Sequence, residues 1–320
     1  MSAPADARTT IAVLTFRRPG PLRALLPELV AQAAQASPRW GPVRILVVDN
    51  DPGAGGSPVV AEVARRGPGG PTLEYAHEPA PGIAAARNRA LAESAASEFL
   101  VFIDDDELPA DGWLAALLET REATGAVAVA GTVTSHFAVP LPAWVAAGGF
   151  FERRRLPTGT PIDIAATNNL ALHLPAVRAS GLRFDPRFGL SGGEDTLFTR
   201  QLVAAGQRMV WCAEAVVTDV VPPERASRQW VVRRAFSSGN SATRVDLALA
   251  ATWSGRLGAR TRGWSRGSIR VLGGTLRWLL GVVAADIGHR ARGVHSLARG
   301  AGMLAGTVGQ VYEEYRPHHG

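Results

Sequence analysis

Short β-rich runs alternate with Ala- and Leu-rich stretches of helical period over the first half of the chain, the pattern of βαβ units wound on a mostly parallel sheet. Runs at residues 10–14, 43–48, 72–76, 99–103 and 126–133 predict strands. Between them, residues 21–34, 58–66, 83–94 and 112–123 predict helices, and residues 67–71 a Gly- and Pro-rich loop. The periodicity then fails. Residues 135–160 carry Pro140, Pro142, Trp144, Phe150, Phe151 and the basic run 153–155, which predicts a long functional surface loop. Its aromatics suit either stacking on a ligand or cover for the sheet. After Glu224 no strand pattern recurs, and Gly273, Gly274, Gly281 and Gly288 interrupt apolar runs that would otherwise make good helices. A boundary near residues 221–223 is expected, with a catalytic domain over 1–222 and a helical region over 223–320.

The chain has 320 residues, 46% hydrophobic, enough for one substantial core and an annex. All 34 basic residues counted as Lys+Arg are arginines. Residues 1–222 hold 19 Arg against 23 acids, whereas residues 223–320 hold 15 against 5, a net +10. An anionic partner for the second part is expected, and no nucleic-acid-binding signature accompanies the charge. Residues 271–287 are apolar but contain Arg277 and Asp286. They favour a helix lying in a membrane interface or packed on the protein over one that spans. Cys212 is the lone cysteine, so no internal disulfide forms, and the polar, Ala-rich start is read as frayed chain rather than a leader. These features predict a cytoplasmic protein, peripheral at the inner face of the cell membrane. The seven histidines, with His289 and His295 in the basic region and His318 and His319 at the end, show no metal-ligand spacing.

Candidate chemistry collects at predicted strand ends. The apolar run 99–103 leads straight into Asp104, Asp105, Asp106 and Glu107. Ligands of open α/β sheets bind beyond such carboxyl ends, and clustered acids are relieved by a hard divalent cation that also reaches a diphosphate. A solvated acidic turn is the alternative. Gly192, Gly193, Glu194 and Asp195 precede an apolar pattern of helical spacing. The acids either cap that helix or place a carboxylate where it takes a proton from an acceptor hydroxyl. Asp49, at the end of the second predicted strand, suits a base or ribose contact or an Asx turn. Arg87 lies one turn into a Gly-opened, Ala-rich helix and suits a phosphate, a base edge or plain solvent.

In order along the chain stand TFRRP at 15–19, VVDND at 47–51, EPAPGIAAARN at 78–88, FIDDDELPADGWL at 102–114, TNN at 167–169 and GGEDTLF at 192–198. This succession, over residues 9–240, resembles family 2 glycosyltransferases of the succinoglycan-pathway glucosyltransferase type. The resemblance implies a GT-A fold and an inverting, metal-dependent hexosyl transfer from a nucleoside diphosphate sugar to a sugar, lipid-linked or small-molecule acceptor, in polysaccharide, glycolipid or glycosylated-metabolite biosynthesis. It implies Asp195 as general base supported by Glu194. It places Thr15, Arg17, Asp49, Arg87, Asp104, Asp105, Asn168 and Asn169 at the nucleotide sugar, and Thr167 with the two asparagines along the donor-sugar pocket. Mn²⁺ or Mg²⁺ would be held in a DXD motif by Asp106 with Asp104. One departure is Asp219, where many GT-A enzymes carry a metal-binding His. A sugar-nucleotide pyrophosphorylase shares the sheet, but its phosphate-binding lysines have no counterpart in a chain without Lys. A nicotinamide enzyme lacks its G-x-G-x-x-G after the first strand. An inactive carbohydrate-binding relative would have no use for Asp195 and the aspartate triplet.

Overall fold

The computed structural model describes residues 7–66 and 70–314. Most of the polar start, residues 67–69 of the 67–71 loop and the terminal His318 and His319 lie outside the described residues. The elements follow as β1 (Thr9–Thr15), α1 (Pro19–Trp40), β2 (Val43–Asp49), α2 (Ser57–Arg66), β3 (Thr72–His77), α3 (Ile83–Glu93), β4 (Phe99–Asp104), β5 (Glu107–Pro109) and α4 (Trp113–Thr124). Then come β6 (Ala128–Phe137), α5 (Ala143–Gly148), β7 (Asn169–His173), α6 (Leu174–Ser180), α7 (Glu194–Ala204), β8 (Met209–Val221), α8 (Arg228–Leu249), α9 (Trp253–Val283) and α10 (Ile287–Thr307). Contacts group the chain into two compact units. The first comprises Met1–Thr134, Arg153–Gly189 and Glu194–Val220; the second comprises Ser135–Glu152, Leu190–Gly193 and Val221–Gly320.

An eight-stranded sheet, in the order β3-β2-β1-β4-β7-β6-β8-β5, organises the first unit. The β3-β2-β1-β4 half is parallel, and β7 then runs antiparallel to β4. Continuous apolar runs form β1, β2 and β4, the strands covered on both faces, whereas β3 is only part-buried. Alternate residues serve opposite faces: Ile11, Val13, Val101 and Ile103 join the α1 leucines and Trp113, while Ala12, Leu100 and Phe102 join Ala84, Phe184 and Phe198. Parallel register places Thr15 opposite Asp49, and Leu14 opposite Asp104. The chain turns to β2 on one side of β1 and to β4 on the other, so these carboxyl ends open on the crevice of a topological switch point.

The second unit corrects two expectations. Residues 135–152 are not a surface loop: they form the end of β6 and α5, and their aromatics pack inside this unit. Phe150 stacks on His295 at 4.9 Å between centroids, and Phe151 stacks on Trp230 at 5.9 Å. The glycines do not interrupt helices either. α9 runs unbroken for 31 residues, with Gly267, Gly274 and Gly281 spaced by seven on one face. A Cβ on Gly274 would lie 2.7 Å from Leu297 N, and one on Gly293 2.6 Å from Trp278 N, so small residues let the α9 and α10 backbones meet. Gly288 lies in the first turn of α10, which Asp286 caps by accepting from His289 N at 2.7 Å. Among the described residues no helix is long and apolar enough to cross a membrane.

Candidate active site

Four acids leave the end of β4, and the fold gives each a different environment. Asp105 is buried and accepts from Thr15 Oγ1 at 2.8 Å, while Arg18 donates to Asp105 Oδ1 at 3.1 Å and to Asp106 Oδ2 at 2.7 Å. Glu107 turns back, accepting from Asp104 N at 3.3 Å and from Asn168 Nδ2 at 2.5 Å. Burial pushes Asp104 up to about 7; Arg87 opposes that rise, and the charges of Asp106 and Asp105 add to it. Burial also raises Asp105, against Arg18 and Thr15, and raises Glu107 further still with the help of Asp104. The four acids are therefore not without a counter-charge: Arg18 supplies one.

Arg18 owes its place to Pro19, which opens α1 and leaves Arg18 in the N-cap position. Arg17, in a left-handed conformation at φ 56°, points elsewhere and donates to Asp51 at 3.1 Å. At the end of β2 the Asp49 carboxylate is fully buried. It accepts from Asp51 N at 2.9 Å, Gly56 N at 2.7 Å and Tyr75 Oη at 3.0 Å, so it fastens the loop from Asp51 to Gly56. Asn50 does the same for the next loop, donating to Glu78 O and Ala80 O at 2.7 Å each and accepting from Gly82 N at 3.1 Å. Gly82 itself has φ 110°, and a Cβ there would stand 3.0 Å from the carbonyl carbon of Gly189.

Arg87 is neither solvated nor open to a ligand on every side. It is 4% exposed, forms an ion pair with Glu194 Oε1, and lies 5.6 Å from the centre of the Phe184 ring. Burial raises the Glu194 carboxyl, with Arg87 opposing and Asp195 reinforcing. Glu194 Oε2 is buried without a hydrogen-bond partner. Asp195, in the first turn of α7, remains partly exposed and uses Oδ1 to accept from Thr196 N at 2.6 Å. Two glycines at positive φ, 74° and 95°, lead into this helix. The asparagine pair splits. Asn168 holds Glu107, whereas Asn169 is 2% exposed, donates to Thr132 O at 3.0 Å and Ala215 O at 2.8 Å, and accepts from Trp113 Nε1 at 2.9 Å. Asn169 is thus a clamp between strands, and its amide has no donor left for a donor sugar. The hydroxyl of Thr167 is buried without a partner. Asp219 lies opposite Glu107 in the β5–β8 pairing and accepts from Arg153 at 2.9 Å.

Residues 10–176 match the family model described as glycosyl transferase family 2. The succinoglycan biosynthesis protein ExoM of Rhizobium meliloti is 35% identical over 235 residues, covering 73% of this chain and 74% of that protein. This chain belongs to glycosyltransferase family 2. Solved structures agree on the fold, which is GT-A. The mannosyltransferase PcManGT from Pyrobaculum calidifontis, in complex with GDP-Man and Mn²⁺, superposes with a TM-score of 0.61 at 18% identity, over 93% of this chain and 86% of that one. The S. aureus protein TarS, residues 1–349, gives 0.50 at 14% identity over 92% of each chain.

In this family 2 glycosyltransferase, no group of three or more His, Cys, Asp or Glu among the described residues is placed to cage a metal ion. A Mg²⁺-like ion needs no such cage, because one or two carboxylates suffice when substrate phosphates complete the shell. The hard oxygens of Asp104 and Asp106, at the mouth of a strand end, fit that mode. Sequence reasoning missed Arg18, Asn50 and Tyr75. The signal for Arg18 was present, since of two adjacent arginines only the one abutting Pro19 is fixed by the helix entry. Tyr75 gave none, because its contact with Asp49 arises from the β2–β3 register.

Proposed function

We propose that this chain transfers a sugar from a nucleoside diphosphate donor to an acceptor hydroxyl with inversion at the anomeric carbon. The observation that carries the reading is Arg87, which pairs with Glu194 and whose charge also acts on Asp104. It ties the acidic end of β4 to the start of α7, so the donor-side and acceptor-side carboxylates share one crevice. Asp195 takes the acceptor's proton while the acceptor oxygen bonds to the anomeric carbon; the bond from that carbon to the diphosphate breaks, and the nucleoside diphosphate leaves. Glu194, held by Arg87, fixes the first turn on which Asp195 rides. Thr15 and Arg18 orient Asp105 and Asp106, and Asn168 orients Glu107. Asp49, Asn50 and Arg17 hold the loops that face the nucleotide. A divalent cation, Mn²⁺ or Mg²⁺, on Asp106 and Asp104 would supply positive charge to the leaving diphosphate.

The likeness to ExoM, a succinoglycan biosynthesis protein, supports a place in polysaccharide assembly; the acceptor would be a sugar, lipid-linked or small-molecule hydroxyl, and the net positive charge of the second unit suits an anionic membrane surface as partner. That reading puts the protein in the cytoplasm, against the inner face of the cell membrane. Incubating purified protein with a panel of UDP-, GDP- and dTDP-sugars and Mn²⁺, and measuring nucleoside diphosphate release, tests the central step. Release from one donor class is expected; no release from any donor would remove the reading.

A further inference from the structure

The second unit holds a cleft of about 460 Å³ with an unusual lining. Arg270 and Arg277 project from α9, Arg292 and Arg299 from α10, and His295 and Phe150 complete the wall. Each arginine pair is spaced by seven residues, two turns on one face of its helix. Across residues 253–307 there are nine arginines and one acid, Asp286, whose carboxylate is spent on capping α10. Among the described residues none of the four arginines makes an ion pair. The acid beside the adjoining cavity, Asp246, lies 3.7 Å from Arg266 instead. Arg292 donates from Nη1 to Ala147 O at 2.9 Å, but its Nε is buried without a partner. Burial and the neighbouring charge of Arg270 hold Arg299 below the usual arginine value, and burial with Arg299 and Arg270 does the same to His295. Gathering uncompensated cations costs free energy unless an anion joins them.

What borders the cleft narrows the anion. At about 100° per residue, Arg270 and Arg277 on α9 stand between the glycine face that meets α10 and a third face. That third face carries Ile269, Leu272, Leu276, Leu280 and Val283, exposed by 68%, 71%, 59%, 53% and 88%. A free phosphate or nucleotide has no use for such a face. A lipid has both halves: a phosphoryl group for the arginines and an acyl layer for the leucines. No described helix could cross a bilayer, so the face would lie along it.

We propose that the cleft between α9 and α10 binds the phosphoryl headgroup of an anionic lipid through Arg270, Arg277, Arg292 and Arg299, with the apolar face of α9 seated in the interfacial layer beside it. The proposal deepens the membrane reading above by naming where the anion sits and which face enters the lipid.

Co-sedimentation of full-length protein with phosphatidylcholine vesicles, with and without phosphatidylglycerol, tests it. Wild type should prefer the anionic vesicles. Arg277→Gln with Arg299→Gln should weaken that binding on the order of 10- to 30-fold. Arg256→Gln with Arg260→Gln, which removes the same charge from α9 outside the cleft, should cost only a few-fold. Leu272→Ser with Leu276→Ser should reduce binding to both vesicle types. Equal losses for the two arginine pairs would show diffuse charge and overturn the site, as would wild-type binding by the cleft variant. Thermal stabilisation by inorganic pyrophosphate without any vesicle binding would overturn the lipid assignment. Circular dichroism identifies a variant that has not folded, and the single Arg277→Gln, at an exposed position, then carries the test. Donor hydrolysis in solution should be unchanged in all variants; its absence from wild type would instead count against the transferase reading, whatever the vesicles show.

Discussion

At Arg18 one side chain decides how the acidic strand end is neutralised. Its guanidinium bonds both Asp105 and Asp106, so a metal ion bound as proposed at Asp106 would compete with a cation already in place. Arg18→Gln is expected to tighten Mn²⁺ binding by the free protein on the order of tenfold, about 1.4 kcal/mol, read by calorimetric titration. An unchanged or weaker affinity would show that Arg18 and the ion do not share these carboxylates. Neighbouring positions teach a related lesson at Asn168 and Asn169. The TNN motif marked both for the donor pocket, yet Asn168 lies in the turn before β7 and Asn169 is the first residue of that strand. One therefore reaches Glu107 and the other bridges β6 and β8 from inside the sheet. Asn169→Ala would leave Thr132 O, Ala215 O and Trp113 Nε1 without their partner. A loss of about 2–4 kcal/mol in urea denaturation is expected, at about 1–3 kcal/mol for a buried group left unsatisfied. Unaltered stability with weakened donor binding would return Asn169 to the pocket.

Elements of the first unit were legible because strands buried on both faces write themselves as continuous apolar runs, and β1, β2 and β4 fall where those runs lie. β7 was not, since its five residues follow an irregular stretch and gain their partners only in the sheet, between β4 and β6. The glycines of α9 misled because propensity treats every helical glycine as a weakness, whereas packing separates them. Gly273 faces open space, and a Cβ there meets nothing within 4 Å. Gly274, its neighbour, lies against the α10 backbone. Gly273→Ala should therefore stabilise the protein by about 0.8–1 kcal/mol. Gly274→Ala should destabilise it by about 1–3 kcal/mol through overpacking. Thermal melts of the two variants check the opposite signs; shifts of the same sign would contradict the close helix contact.

For the whole molecule, the proposed reaction would divide between a strand end that binds the leaving group and a helix start that receives the acceptor's proton. The first half of that division predicts that Asp106→Asn, or EDTA in excess, abolishes nucleoside diphosphate release, and full activity under chelation would remove the metal from the account. The order of motifs made the family and its fold readable in sequence. Their burial was not, because Arg87 reads as a surface residue until α3 and α7 are seen to enclose it. The second half rests on Asp195 and is tested most directly by comparing donor affinity with transfer rate in Asp195→Asn. The account predicts a dissociation constant for the nucleotide sugar within a few-fold of wild type and a kcat lowered on the order of 10²- to 10⁴-fold. A variant that transfers sugar at the wild-type rate, or one that loses donor binding in proportion to rate, would contradict it.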